Sequence, residues 1–160
     1  MEFISVSWTS VESKNALSNF LAKEGATSEL ATADPNTWGF FPLPNGKKLV
    51  VGYANLGLTP VATVVNGHLL IGINEILAGF DLNTLQRTFI YRMPSVFHEF
   101  VSLKDPVIVR DEVGFICISA TGVERWALLT NGPINQFTIE GAFIRGVTID
   151  DEPFKFAIPS

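Results

Sequence analysis

From residue 47 onward, apolar positions fall in short runs separated mostly by two to six residues rich in Gly, Asn, Asp and Pro. Runs of this length, with β-branched and aromatic content and turn formers between them, predict strands. The pattern predicts them at 47–54, 61–65, 68–73, 76–82, 87–92, 97–103, 106–110, 114–119, 124–129, 134–139, 143–149 and 154–158. Links this short favour antiparallel meanders, because a parallel crossover needs about a dozen residues and usually a helix. Residues 115–118 are apolar on both faces and predict a central strand, whereas Arg87, Phe89 and Tyr91 alternate with Thr88, Ile90 and Arg92 and predict a strand nearer an edge. Between 61–65 and 68–73, Asn66-Gly67 carries the type I′ hairpin signature.

The first third of the chain reads differently. Residues 3–8 form an apolar run that predicts either a first strand or a lead-in placing Trp8 under the domain. Thr9 or Ser10 then offers an N-cap, Leu17, Phe20 and Leu21 follow at helical spacing, and Gly25 stands at a C-cap position, so 1–25 reads as a strand followed by one helix. Residues 26–46 shift to Thr, Ala, Asn and Pro and predict a long aromatic, Pro-rich loop. Within it, Trp38, Phe40 and Phe41 either pin the loop to the core, the favoured reading, or form an exposed binding patch. The chain as a whole, 1–160, reads as one domain, with 47–160 as its repeated antiparallel part.

A repeat is visible in 74–137. Asn74-Glu75 recurs as Asp111-Glu112, Thr84 as Thr121, Phe89 as Trp126, Phe97 as Ile134 and Phe100 as Phe137, each pair 37 positions apart. Residues 141–156 supply a partial third unit. Units of three or four antiparallel strands with an aromatic near each turn resemble the blades of β-propellers of the WD or quinoprotein type, over residues 49–158. The chain has no Trp-Asp dipeptide and is short for a closed ring, so the resemblance implies a mainly β fold built as an open blade-like array, with a sandwich or barrel as alternatives.

Composition narrows the function classes. A hydrophobic share of 47% with 17% charged residues excludes disorder, and a net charge of −5 opposes nucleic acid and anionic lipid. Residues 49–74 carry no charge and are long enough to span a bilayer, but Pro60, Asn66-Gly67 and His68 interrupt them, so a buried hairpin is expected there and no membrane association. The single cysteine, Cys117, sits in an apolar run and reads as a small buried hydrophobe. Glu2 stands where a signal peptide would carry positive charge, which predicts a cytoplasmic protein.

Candidate chemistry is sparse. His98-Glu99 sets an imidazole beside a carboxylate, the best general acid–base lookalike, but neighbours on a strand point to opposite faces. Ser102 stands where a metalloprotease motif would carry its second His. His68 reads as a solvent-facing strand residue, and Asn74-Glu75 and Asp111-Glu112 as acceptors of backbone N–H groups at turns. Asp150, Asp151 and Glu152 form the densest acidic cluster, a solvated turn or a docking patch for a basic partner. No phosphate loop, metal spacing or nucleophile elbow occurs, so no cofactor or metal is expected.

Three readings follow. The first is a protein-interaction module of inhibitor or immunity type. The second is a ligand-binding protein or enzyme with a pocket around His98 and Glu99, completed by distant groups such as Asp81 or Arg110. The third is a homo-oligomeric scaffold held by self-association.

Overall fold

The computed structural model describes residues 4–11, 28–43 and 46–160. They form sixteen strands: β1 Ile4–Val6, β2 Thr9–Val11, β3 Ser28–Ala31, β4 Thr37–Pro42, β5 Lys48–Tyr53, β6 Val61–Val65, β7 His68–Ile73, β8 Ile76–Asp81, β9 Arg87–Arg92, β10 Phe97–Ser102, β11 Val107–Asp111, β12 Gly114–Ile118, β13 Glu124–Leu129, β14 Ile134–Glu140, β15 Phe143–Thr148 and β16 Pro153–Ala157. The described chain is all-β. Four sheets are present: I (β2-β4-β5-β3), II (β1-β6-β7-β8-β9), III (β10-β11-β12-β13) and IV (β14-β15-β16), and none closes on itself. Every pairing is antiparallel except that of β3 with β5.

Strand positions follow the local punctuation closely. Asn66 and Gly67 both have positive φ, 49° and 74°, so the two-residue turn joins Val65 to His68 in the expected hairpin. Strand β12 lies inside sheet III and is wholly buried, while β9 forms the outer edge of sheet II.

The N-terminal expectations need correction. Thr9 and Ser10 do not cap a helix; with Val11 they form β2, paired to Trp38, Gly39 and Phe40. The helix body expected over Leu17, Phe20 and Leu21 lies outside the described residues. Nor is 26–46 a loop, because it contains β3 and β4, and β4 pairs along its whole length with β5. Trp38, Phe40 and Phe41 are therefore strand residues. Phe41 is fully buried beside Trp8, Leu49 and Tyr53, Phe40 is buried against Val50, and Trp38 is half-buried across the strand from Gly52, whose missing Cβ leaves room for the indole. The three aromatics pin sheet I and do not form an exposed patch.

Two further cores lie between sheets. Sheets II and III enclose Val65, Leu70, Leu77, Phe97, Val107, Val109, Ile116 and Ile118, all buried. Sheets III and IV enclose Phe115, Ile134 and Ile144, with Phe137 and Phe154 packed against them. At roughly 25 cal/mol per Å² of apolar surface removed from water, such cores are the main favourable term in folding.

Backbone bonds tie sheet II to sheet III and sheet III to sheet IV. Met93 N donates to Glu75 O and Phe97 N to Asn74 O, so the turn between β7 and β8 receives the strand entering sheet III. Thr130 N donates to Val113 O and Ile134 N to Glu112 O, so the turn between β11 and β12 receives the strand entering sheet IV. The turn residues are thus Asn74-Glu75 and Glu112-Val113, one position off the correspondence drawn from sequence. In the reverse direction, Glu112 N donates to Val96 O and Ile149 N to Pro133 O.

Candidate functional site

The expected opposition of His98 and Glu99 does not hold, and a β-bulge explains why. Phe97 pairs with Asp111 and Glu99 pairs with Arg110, so His98 is an extra residue in β10. An extra residue breaks the alternation and lets two neighbours address one partner. Both reach Arg110: its Nη1 lies 3.3 Å from His98 Nδ1 and 3.7 Å from Glu99 Oε2. Strand β14 carries a similar register shift between Ile134 and Gln136.

Arg110 is the centre of the cluster. It is 9% exposed and projects from β11 toward sheet IV, where its Nη2 donates to Ile134 O at 2.9 Å and its guanidinium lies 5.6 Å from the Phe137 ring centre. Its Nε is buried without a hydrogen-bond partner. A guanidinium can only donate, so the contact with His98 requires the Nδ1 lone pair, which places the imidazole proton on Nε2 and keeps the ring neutral. Burial and then the Arg110 charge both hold the His98 pKa below its ordinary value, in agreement with that protonation state.

Next to this cluster, Asp111 is fully buried at the end of β11. One carboxylate oxygen accepts from Ser95 N and the other from Val113 N, both at 2.9 Å, while Ser95 Oγ donates to Glu112 Oε2. Burial raises the Asp111 pKa, against the opposing pull of those backbone bonds. Asn74, in the turn between β7 and β8, ties Ala54 through both its amide oxygen and its amide nitrogen. Such corner residues satisfy backbone groups that would otherwise be stranded.

Other candidate residues lie apart. Asp81 holds its own turn, accepting from Asn83 N and Thr84 N, and sits across from His68, not His98. His68 is half-buried with Nδ1 enclosed and unpartnered, so it is not the solvent-facing residue expected from its place after the turn. Cys117 is buried, and desolvation raises its pKa, which makes it a poor nucleophile at neutral pH. Asp150, Asp151 and Glu152 are exposed in the turn between β15 and β16, whose backbone is satisfied by Thr148. Their carboxylates enter no ion pair among the described residues. No group of three or more His, Cys, Asp or Glu able to hold a metal occurs among the described residues, and no described helix is long and apolar enough to cross a membrane.

Surface clefts lie among the described residues. One of about 600 Å³ lies on sheet IV over Gln136, Thr138, Arg145, Val147 and Lys155. A second, about 480 Å³, runs between Trp126 of sheet III and Ile158, and a third, about 200 Å³, lies beside Asn74 and Arg92. Neither His98 nor Glu99 lines any of these three. The cluster around Arg110 therefore has the geometry of a polar pin between sheets: its donors and acceptors face one another and the carbonyl of β14. Of its members, Arg110 was named from sequence only as a distant group, and its signal was a cation standing directly before Asp111-Glu112 at the turn end of an otherwise apolar hairpin. No known protein family matches this chain, and no curated protein matches it.

Proposed function

We propose that the chain is a protein-interaction module built on an open array of blade-like sheets, with a unit of about 37 residues repeated from sheet II onward. Support for the unit comes from β9 and β13, which start 37 positions apart and share one alternation of exposure along their length. The inter-sheet bonds from Glu112 to Val96 and from Ile149 to Pro133 have the same offset, as do the bulges at the starts of β10 and β14.

The observation that carries the interaction reading is the exposure of sheet IV. Ile149 is 59% exposed there and stands beside the acidic turn Asp150-Asp151-Glu152, while Ile139 and Phe143, 43% and 40% exposed, lie at the opposite end of β15. Exposed apolar groups next to unpaired charges supply contact area and steering together. The pocket reading centred on His98 lacks such support, because both of its named groups are spent on Arg110.

Self-association by stacking is opposed by chemistry. The face of sheet IV turned away from sheet III carries Gln136, Thr138, Glu140, Arg145 and Lys155 beside Phe143 and Val147, and stacking another sheet on it would strip water from its charges.

The test is affinity capture from host extract with wild type and with a variant carrying Asp150→Asn, Asp151→Asn and Glu152→Gln, both shown to be folded. A partner retained by the wild type and lost by the variant at physiological salt is the expected result. Identical capture by the two proteins would remove the acidic turn from the proposal.

A further inference from the structure

Among the described residues, sheets II and III each end in an outer strand that has no counterpart in sheet IV. Beyond β8 comes β9 and beyond β12 comes β13, whereas β16 is itself the outer strand of sheet IV. Where sheet III meets sheet II, its outermost elements close over the aromatics of β9. Tyr91 Oη donates to Glu124 at the head of β13, and a Cβ at Gly122, in the turn before β13, would fall inside the Phe89 ring. Where sheet IV meets sheet III, no strand plays that part for the face of β13 that carries Trp126 and Leu128. Instead the groove of about 480 Å³ opens there, floored by Ile108, Cys117 and Trp126 and rimmed by Lys104 and Arg125.

We propose that the outer edge of β16 is a docking site for an extended strand of a partner protein, which pairs antiparallel with β16 and covers the groove beside it. This rests on the reading of the chain as an interaction module and specifies one surface and one mode of recognition. An outer strand presents unpaired N–H and C=O groups, and addition of an extended peptide satisfies them while alternate side chains enter adjacent pockets. The register with β15 turns the N–H and C=O of Lys155 and Ala157 outward, while Pro153 has no N–H to donate, so the outward donors of β16 are Lys155 and Ala157.

The groove also states what the strand carries. Asp105, which follows Lys104, already accepts from Ala120 N and Asn66 Nδ2. Lys104 and Arg125 enter no ion pair among the described residues. In a chain of net charge −5, two unpaired cations beside an apolar floor select a strand with a carboxylate and an apolar or aromatic residue on the same face. Glu124 and Trp126 of β13 have that spacing, two residues apart on one side of a strand.

The experiment is a titration of isotope-labelled protein with a synthetic peptide of sequence Thr-Gly-Val-Glu-Arg-Trp-Ala-Leu-Leu, which copies residues 121–129. The expected result is saturable movement of the Phe154 to Ile158 amides and of the Trp126 indole N–H, with binding roughly tenfold weaker when Lys replaces the peptide's Glu. Ala157→Pro in the protein, which removes an outward-facing N–H of β16 and leaves the β15–β16 bonds in place, should abolish it with the resonances of sheets II and III unchanged. No movement at millimolar peptide, or movement only at β9 or at β3, would overturn the proposal. If a partner captured from extract binds the Ala157→Pro protein undiminished, the docking edge is refuted while the interaction reading stands.

Discussion

The junction of sheets II and III and the junction of sheets III and IV close the same kind of gap with different chemistry. In the first, the opening residue of β10, Phe97, lies on Gly72 of β7, where any Cβ would enter the ring. The contact is dry and continues into a fully apolar core. In the second, the opening residue of β14, Ile134, meets Arg110 of β11, and a charge-assisted hydrogen bond to its carbonyl replaces the ring-on-glycine contact. The dry junction gains from every methylene buried, while the polar one must first recover the cost of taking a guanidinium out of water. Sheet IV should therefore be held less firmly than sheets II and III.

The largest expected effect comes from breaking the dry junction. Phe97→Ala removes a fully buried ring that also packs edge-on against Phe100, and should cost about 3–5 kcal/mol in chemical denaturation. At the other junction, Arg110→Met keeps the bulk and deletes the buried charge. The orphaned Ile134 carbonyl should cost about 1–3 kcal/mol, partly offset by the desolvation no longer incurred. A loss in Arg110→Met as large as that in Phe97→Ala would erase the distinction between the two junctions.

Acid sharpens the comparison further. The folded His98 takes up a proton less readily than an unfolded one, chiefly through burial and next through Arg110. The unfolded chain then binds more protons near and below pH 6.5, so this contribution is complete above that pH and is lost as pH falls through the lowered folded value. Asp111 has the opposite sign: its raised pKa gives a contribution that is full below 3.8 and lost as pH rises through the folded value. His98→Gln should flatten the fall in stability below pH 6.5 and leave the Asp111 component in place, as read from denaturant midpoints across pH. The smallest effect belongs to Glu99→Gln, since the Glu99 side chain is 51% exposed and its ion pair with Arg110 is worth less than about 1 kcal/mol.

Much of the fold was written locally. Strands β6, β7, β9 and β13 fall where Gly, Asn and the β-branched runs put them, because hairpins with short turns are decided by neighbours in sequence. Sheet I was not legible for the converse reason. Strand β3 pairs in parallel with β5 across the intervening β4, and the Thr, Asn and Pro around Trp38 to Phe41 looked like loop chemistry until partners were supplied. At the site, His98 and Glu99 were identifiable as residue types, but the bulge that turns both toward Arg110 depends on register with β11. The carbonyl of Ile134, which completes the pin, carries no mark in a sequence at all.

The central claim is that the cluster around Arg110 holds sheet IV to sheet III and does nothing else as essential. Amide hydrogen exchange of wild type and Arg110→Met tests it most directly. The account predicts accelerated exchange confined to β14, β15 and β16, with the amides of β7, β8, β11 and β12 keeping their protection. Uniform acceleration through all the sheets, or unchanged protection in β14, would contradict it.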